Sequence, residues 1–157
     1  MSKTKYSNPI YFWLIENLLT ELEISRERRD LDSFAYTLLC SFTYAKSVLK
    51  EKLSILSHLI EESKYSTKNV MAIAALLKIS TENDIPLKDD VRTSVTESLR
   101  GLEEKTLPLK YKTIVYYLTR DIEDFNGDGL KNFLVQKRNE LLKTENKNDL
   151  LEIELAL

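Results

Sequence analysis

VMAIAALLKI, from Val70 to Ile79, is apolar on almost every side when wound as a helix. A helix without a polar face needs neighbours all round it, so this segment is expected at the centre of a helical domain. Ser66 or Thr67 stands ahead of it, and either can cap the free amides of its first turn.

Upstream, apolar residues step by four and three through Leu31, Ala35, Leu38, Phe42, Ala45, Leu49, Leu53, Leu56 and Ile60, with no Gly or Pro between them. That spacing predicts one long helix, or two nearly collinear ones, over about Asp30 to Glu62. Ala and Phe on the seam favour packing within a bundle over a coiled coil. Further upstream, Asn8 and Pro9 form a helix start, and Ile10, Trp13, Leu14, Ile15, Leu18, Leu19 and Leu22 make a broad apolar face. Tyr11 and Phe12 spill round its side. This first helix is therefore expected to be buried on two sides, or to offer an aromatic flank to a protein partner.

Downstream, IPLKDDVRTSVTESL from Ile85 and LPLKYKTIVYYL from Leu107 each open with an apolar residue, Pro, Leu and Lys. Pro fits the first turn of a helix, so the two segments read as a weak helix-pair repeat, with 22 residues between Pro86 and Pro108. Two copies are too few for a solenoid. DFNGDG, Asp124 to Gly129, holds two of the three glycines and predicts a sharp corner, in which Asn126 or Gly127 takes a left-handed conformation and Asp128 caps the next helix. That helix is expected from about Gly129 to Lys143, with Leu130, Phe133, Leu134, Leu141 and Leu142 on its apolar side.

After a polar linker, TENKND, the chain closes on DLLEIELAL. Leu151, Ile153, Leu155 and Leu157 alternate there with Glu152, Glu154 and Ala156. Period two is a strand signal, and such a tail can add to a partner's sheet edge or enter a groove; a short helix folded back on the bundle fits equally well. The expected fold is all-α, a single-domain helical bundle of five to seven helices over residues 1–144, with linker and apolar tail over 145–157.

Apolar residues at 43% and charged residues at 31% describe a globular chain with a densely charged surface. A net charge of −2 removes the global electrostatic case for nucleic-acid binding but leaves local basic stripes. Cys40, the single cysteine, cannot form an internal disulfide and reads as a small buried hydrophobe in a reducing compartment. MSKTKYSNP has no apolar stretch of signal-peptide length behind its lysines, and no run has the length of a membrane span. A cytoplasmic location is expected.

AIAALLKISTENDIPL, Ala72 to Leu87, followed by Arg92 with Thr93 and then Leu102 with Glu103, resembles a family of small, uncharacterised archaeal all-helical proteins. Their pattern runs AI, two residues, L, two residues, IS, an acidic residue, N-M-P-L and RT. PLKYKTIVYYLTRDIE from Pro108 resembles the same pattern. The resemblance spans residues 72–123, departs from the family in its longer spacing over Lys88 to Val91, and does not cover the N-terminal helices. It implies a helical fold and a cytoplasmic, archaeal setting, and carries over no activity and no catalytic residue.

Three kinds of site can be weighed on the residues. Asp124, Asn126 and Asp128 match the first alternate ligands of a calcium loop, with Gly129 at its turn, but Lys131 and Val135 stand where an aliphatic residue and a bidentate Glu belong. Catalysis has little material: one His (His58), one Cys, no phosphate loop, and adjacent acids that diverge by about 100° on a helix. No cofactor and no small-molecule substrate is implied. On the helix after Pro108, Lys112, Tyr116 and Arg120 share one face flanked by Lys110, an arrangement that can neutralise phosphates and stack a base.

The chain is accordingly expected to be a non-enzymatic adaptor or subunit working through protein contacts at Tyr11, Phe12, Leu151, Ile153, Leu155 and Leu157, with another protein or a second copy as partner. The alternative is an accessory subunit of a nucleic-acid-processing complex acting through Lys110, Lys112, Tyr116 and Arg120.

Overall fold

Each of the ten residues from Val70 to Ile79 is at most 5% exposed, as their apolarity requires. They open the helix α2 (Val70–Glu82), which packs between α1 (Lys46–Glu62) and α3 (Asp89–Ser98). A computed structural model of the chain describes residues 31, 34–35, 38–39, 45–66, 69–122, 125–143 and 147–157. After α3 come a 3-10 turn (Leu102–Glu104), α4 (Leu109–Thr119), α5 (Asp128–Leu141) and α6 (Lys147–Ala156). The fold is all-α, with no strand among the described residues.

Two compact units divide the chain, Met1–Leu99 and Arg100–Leu157. In the second unit α6 packs on α4 and α5, as the folded-back helix among the sequence readings of residues 145–157 would. The expected N-terminal helix with Tyr11 and Phe12 lies outside the described residues, as do Cys40 and Phe42.

The spine is interrupted. Ala35, Leu38 and Leu39 are buried in helical backbone, and Leu49, Leu53, Leu56 and Ile60 line the inner side of α1. At Ala45, however, the backbone is extended (φ −61°, ψ 150°) and the side chain is exposed, so α1 starts anew at Lys46. Ala45 fits the heptad spacing without contributing to the core.

The cap position of α2 is Asn69, which makes no side-chain cap bond; its N–H donates to the carbonyl of Ser66 (2.9 Å). Pro108 immediately precedes α4, whereas α3 begins at Asp89, three residues after Pro86, so the two IPLK-like segments do not start their helices at equivalent positions. Inside α2 the buried hydroxyl of Ser80 donates to the carbonyl of Leu77 (2.9 Å), which satisfies it within the core.

α1 and α2 end in the same way. Tyr65 N–H reaches back to Ile60 O (3.2 Å) and Ile85 N–H to Ser80 O (3.0 Å), each chain reversal being made by residues with positive φ: Lys64 (56°) and Tyr65 (53°) after α1, Asp84 (52°) after α2. These are helix stops of the kind that glycine favours, here without glycine. Asp84→Gly is therefore expected to raise the urea midpoint, stabilising the chain by about 1 kcal/mol. An unchanged or lower midpoint would show that the Asp84 side chain holds the turn in a way glycine cannot. The one glycine with positive φ is Gly101 (67°), outside the hexapeptide that the sequence singled out.

Candidate interaction site

α4 was expected to present a basic and aromatic face, and it does not. Residues 111–119 are buried throughout, because α5 and α6 both pack against this helix. Lys112 is 6% exposed; its Nζ donates to the Glu103 carbonyl (3.1 Å) and sits 4.3 Å from the centre of the Phe133 ring. Burial pushes its pKa below the usual lysine value, the charge of Lys137 adds to that fall, and Glu103 opposes it.

Tyr116 is also buried. Arg120 donates from Nη1 to the carbonyl of Ala156 (2.8 Å), lies over the Tyr117 ring at 4.7 Å, and holds its Nε 3.9 Å from Asp121 Oδ2. A guanidinium at the last carbonyls of α6 both satisfies an orphan acceptor and suits the negative pole of that helix. Lys112 and Arg120 thus serve intramolecular packing. The Lys110 side chain lies outside the described residues.

The hexapeptide is punctuation, made differently from the expected way. Asn126 Oδ1 accepts the N–H of Asp128 (3.0 Å), while Gly127, at φ −98°, occupies the cap position of α5 with no side-chain bond of its own. Asn126 therefore does the capping that was expected of Asp128, and neither it nor Gly127 is left-handed. Gly129 matters for another reason: a Cβ there would lie 2.8 Å from Glu103 Cδ and collide with the Glu103 carboxylate, which approaches the positive pole of α5.

Of the calcium candidates, Asp124 lies outside the described residues. Among the described residues no group of three His, Cys, Asp or Glu side chains is placed to hold a metal ion. A cleft of about 440 Å³ opens beside the turn, lined by Tyr116, Arg120, Phe125, Asn126, Asp128 and Lys131. Its cations and its acid are mixed, so it carries no strong field of either sign.

In the first unit a cleft of about 400 Å³ lies along α1 and the segment leading into α3, with His58 on its wall. The ring meets its need locally, Nε2 standing 3.0 Å from Glu62 Oε1 one turn away.

Residues 147–156 are helical, which resolves the choice between strand and helix left open by the alternation. Residues two apart on a helix diverge by about 200°, so the alternating apolar residues split between faces. Ile153 and Ala156 are fully buried, Leu157 is half-buried and Leu151 faces solvent. Ile153 is thus an internal packing residue and no contact candidate; the Leu155 side chain lies outside the described residues.

The large apolar side chains left exposed among the described residues are Val48 (39%), Ile55 (47%), Leu59 (36%), Leu142 (59%) and Leu151 (47%). Leu142 was expected on the inner side of α5, but the helix ends at Leu141 and the next residue turns outward. The outer face of α1 was missed because its inner heptad stripe dominates the pattern. Its signal is present in the sequence all the same: Val48, Ile55 and Leu59 each stand one position N-terminal to the buried Leu49, Leu56 and Ile60.

No model of a known protein family, no curated protein and no solved structure matches the chain. Function must be read from the surfaces alone. No described helix is long and apolar enough to cross a membrane.

Proposed function

We propose that the protein is a non-enzymatic helical adaptor or subunit that works by protein–protein contact in the cytoplasm. One observation carries this reading: Leu142 and Leu151, at the end of α5 and on α6, expose large apolar side chains on helices whose inner faces are already packed. Apolar area held in water on ordered helices is the usual basis of a protein contact. Engagement of Lys112 and Arg120 within the second unit supports protein over nucleic acid as the partner.

Affinity purification of the native chain, with and without nuclease, tests the proposal. Leu142→Glu with Leu151→Glu is expected to remove the captured protein at least tenfold while the helical circular dichroism is unchanged, as surface substitutions of this kind act on the contact and not on the fold. Truncation of α6 is the wrong tool, since it removes Ile153 from the core. Capture that disappears with nuclease treatment would replace this reading with a nucleic-acid subunit, and capture indifferent to both substitutions would overturn it.

A further inference from the structure

We infer that the cleft beside the α4–α5 turn binds a small zwitterion of the α-amino-acid class with an aromatic side chain. The inference goes beyond the protein-contact reading and does not depend on it, since neither Leu142 nor Leu151 lines the cleft.

Charge carries it first. Asp128 and Lys131 stand one turn apart on α5, a spacing at which unlike charges ordinarily pair, and both line the cleft. Here they form no ion pair with each other, and neither side chain has a partner among the described residues. Arg120 adds a second cation to the wall. Its Nη1 is taken by the Ala156 carbonyl and its plane lies over the Tyr117 ring, which fixes the guanidinium. Asp121, 3.9 Å from Nε, is beyond hydrogen-bond reach, so Nε and Nη2 keep protons for a ligand. Two cations and one acid suit a carboxylate and an ammonium carried on one small molecule. A bare anion or a bare cation would meet a like charge along with the unlike one.

The apolar part of the cleft gives the side chain. Tyr116 and Phe125 line it together with Gly127, whose bare backbone faces both rings: a Cβ there would lie 3.7 Å from Phe125 Cε1 and 3.9 Å from Tyr116 Cδ1. Two rings beside a glycine, in a cleft of about 440 Å³, make a slot of the size and character that a flat side chain fills. Tyr116 is only 7% exposed, and its hydroxyl has no hydrogen-bond partner among the described residues. A buried hydroxyl in that state has a donor and an acceptor to offer a ligand. Arg120, Asp128 and Lys131 are all exposed, so the affinity is low, with a Kd on the order of 1 mM.

Amide NMR of the isotope-labelled full chain, titrated with L-phenylalanine, is the test. Saturable shifts are expected at residues 125–131. 3-Phenylpropionate lacks the ammonium, phenethylamine lacks the carboxylate and glycine lacks the ring; each is expected to bind about tenfold more weakly. Asp128→Asn should weaken L-phenylalanine about tenfold and leave 3-phenylpropionate unchanged, whereas Lys131→Gln should weaken both acids and leave phenethylamine unchanged. A general loss of structure could not produce that crossed pattern. Gly127→Leu, at a φ of −98° open to any residue, should block the slot and abolish binding with the helical circular dichroism unchanged.

Shifts that fail to saturate at about ten times the expected Kd, 3-phenylpropionate binding as tightly as L-phenylalanine, or an Asp128→Asn or Gly127→Leu chain that binds L-phenylalanine as the parent does would each overturn the inference. Capture of a protein through Leu142 and Leu151 is read in a separate experiment, so failure here leaves the adaptor reading standing.

Discussion

Glu82→Ala is expected to destabilise the chain by about 3–5 kcal/mol, a loss out of proportion to one residue near the end of a helix. The reason is Lys78. It belongs to the otherwise apolar run at the centre of the first unit, and its Nζ is 2.7 Å from Glu82 Oε1, the two side chains being only 7% and 12% exposed. Two charges taken out of water repay part of their desolvation through each other, so removing the carboxylate takes from a buried ammonium its partner at 2.7 Å.

Replacing both is a different experiment. Lys78→Met with Glu82→Leu keeps the volume and removes both desolvation costs, and it is expected to leave stability within about 1 kcal/mol of the parent or to raise it. Urea titration followed by helical circular dichroism measures the pair of variants. A cost below about 1 kcal/mol for Glu82→Ala would mean that water reaches the pair, and a cost for the double variant equal to that of Glu82→Ala would mean that the ions hold α2 in place by more than their mutual attraction.

What was legible in the sequence was whatever one helix settles by itself. The burial of Val70 to Ile79 followed from composition, and the inner stripe of α1 followed from its spacing, because either pattern leaves the helix only one way to hide its apolar area. What misled were features whose meaning depends on a second element. Lys112 and Arg120 share a helical face with Tyr116, but Lys112 is claimed by Glu103 and Phe133 and Arg120 by the end of α6, none of which is near in the helix that carries them. Gly129 reads in the sequence only as the start of a helix, while in the structure the space a Cβ would take there is filled by the Glu103 carboxylate. Gly101, outside any motif, takes the positive φ.

The closing helix shows most directly how an ambiguous period bears on the function assigned to neighbouring residues, and a pair of substitutions makes the contrast measurable. Leu151 and Ile153 occupy like positions in the alternating series LEIEL, and a strand would present both to the same partner. In the helix they part: Ile153 is fully buried where α6 packs with α4 and α5, and Leu151 faces water. Ile153→Asp puts a carboxylate into that packing and removes the apolar contacts of an isoleucine, so it is expected to destabilise the second unit by roughly 4 kcal/mol. Displacing α6 would also take from Arg120 its acceptor at Ala156 and uncover the α6-facing side of α4. Leu151→Asp changes an exposed side chain and is expected to stay within about 0.5 kcal/mol of the parent, while still reducing capture of a protein partner. Thermal and urea unfolding followed by circular dichroism decide between the periods: similar small losses for the two variants would mean that the closing residues are not packed as a helix in solution, and a large loss for Ile153→Asp alone fixes α6 as part of the fold and leaves Leu151 as its outward contact.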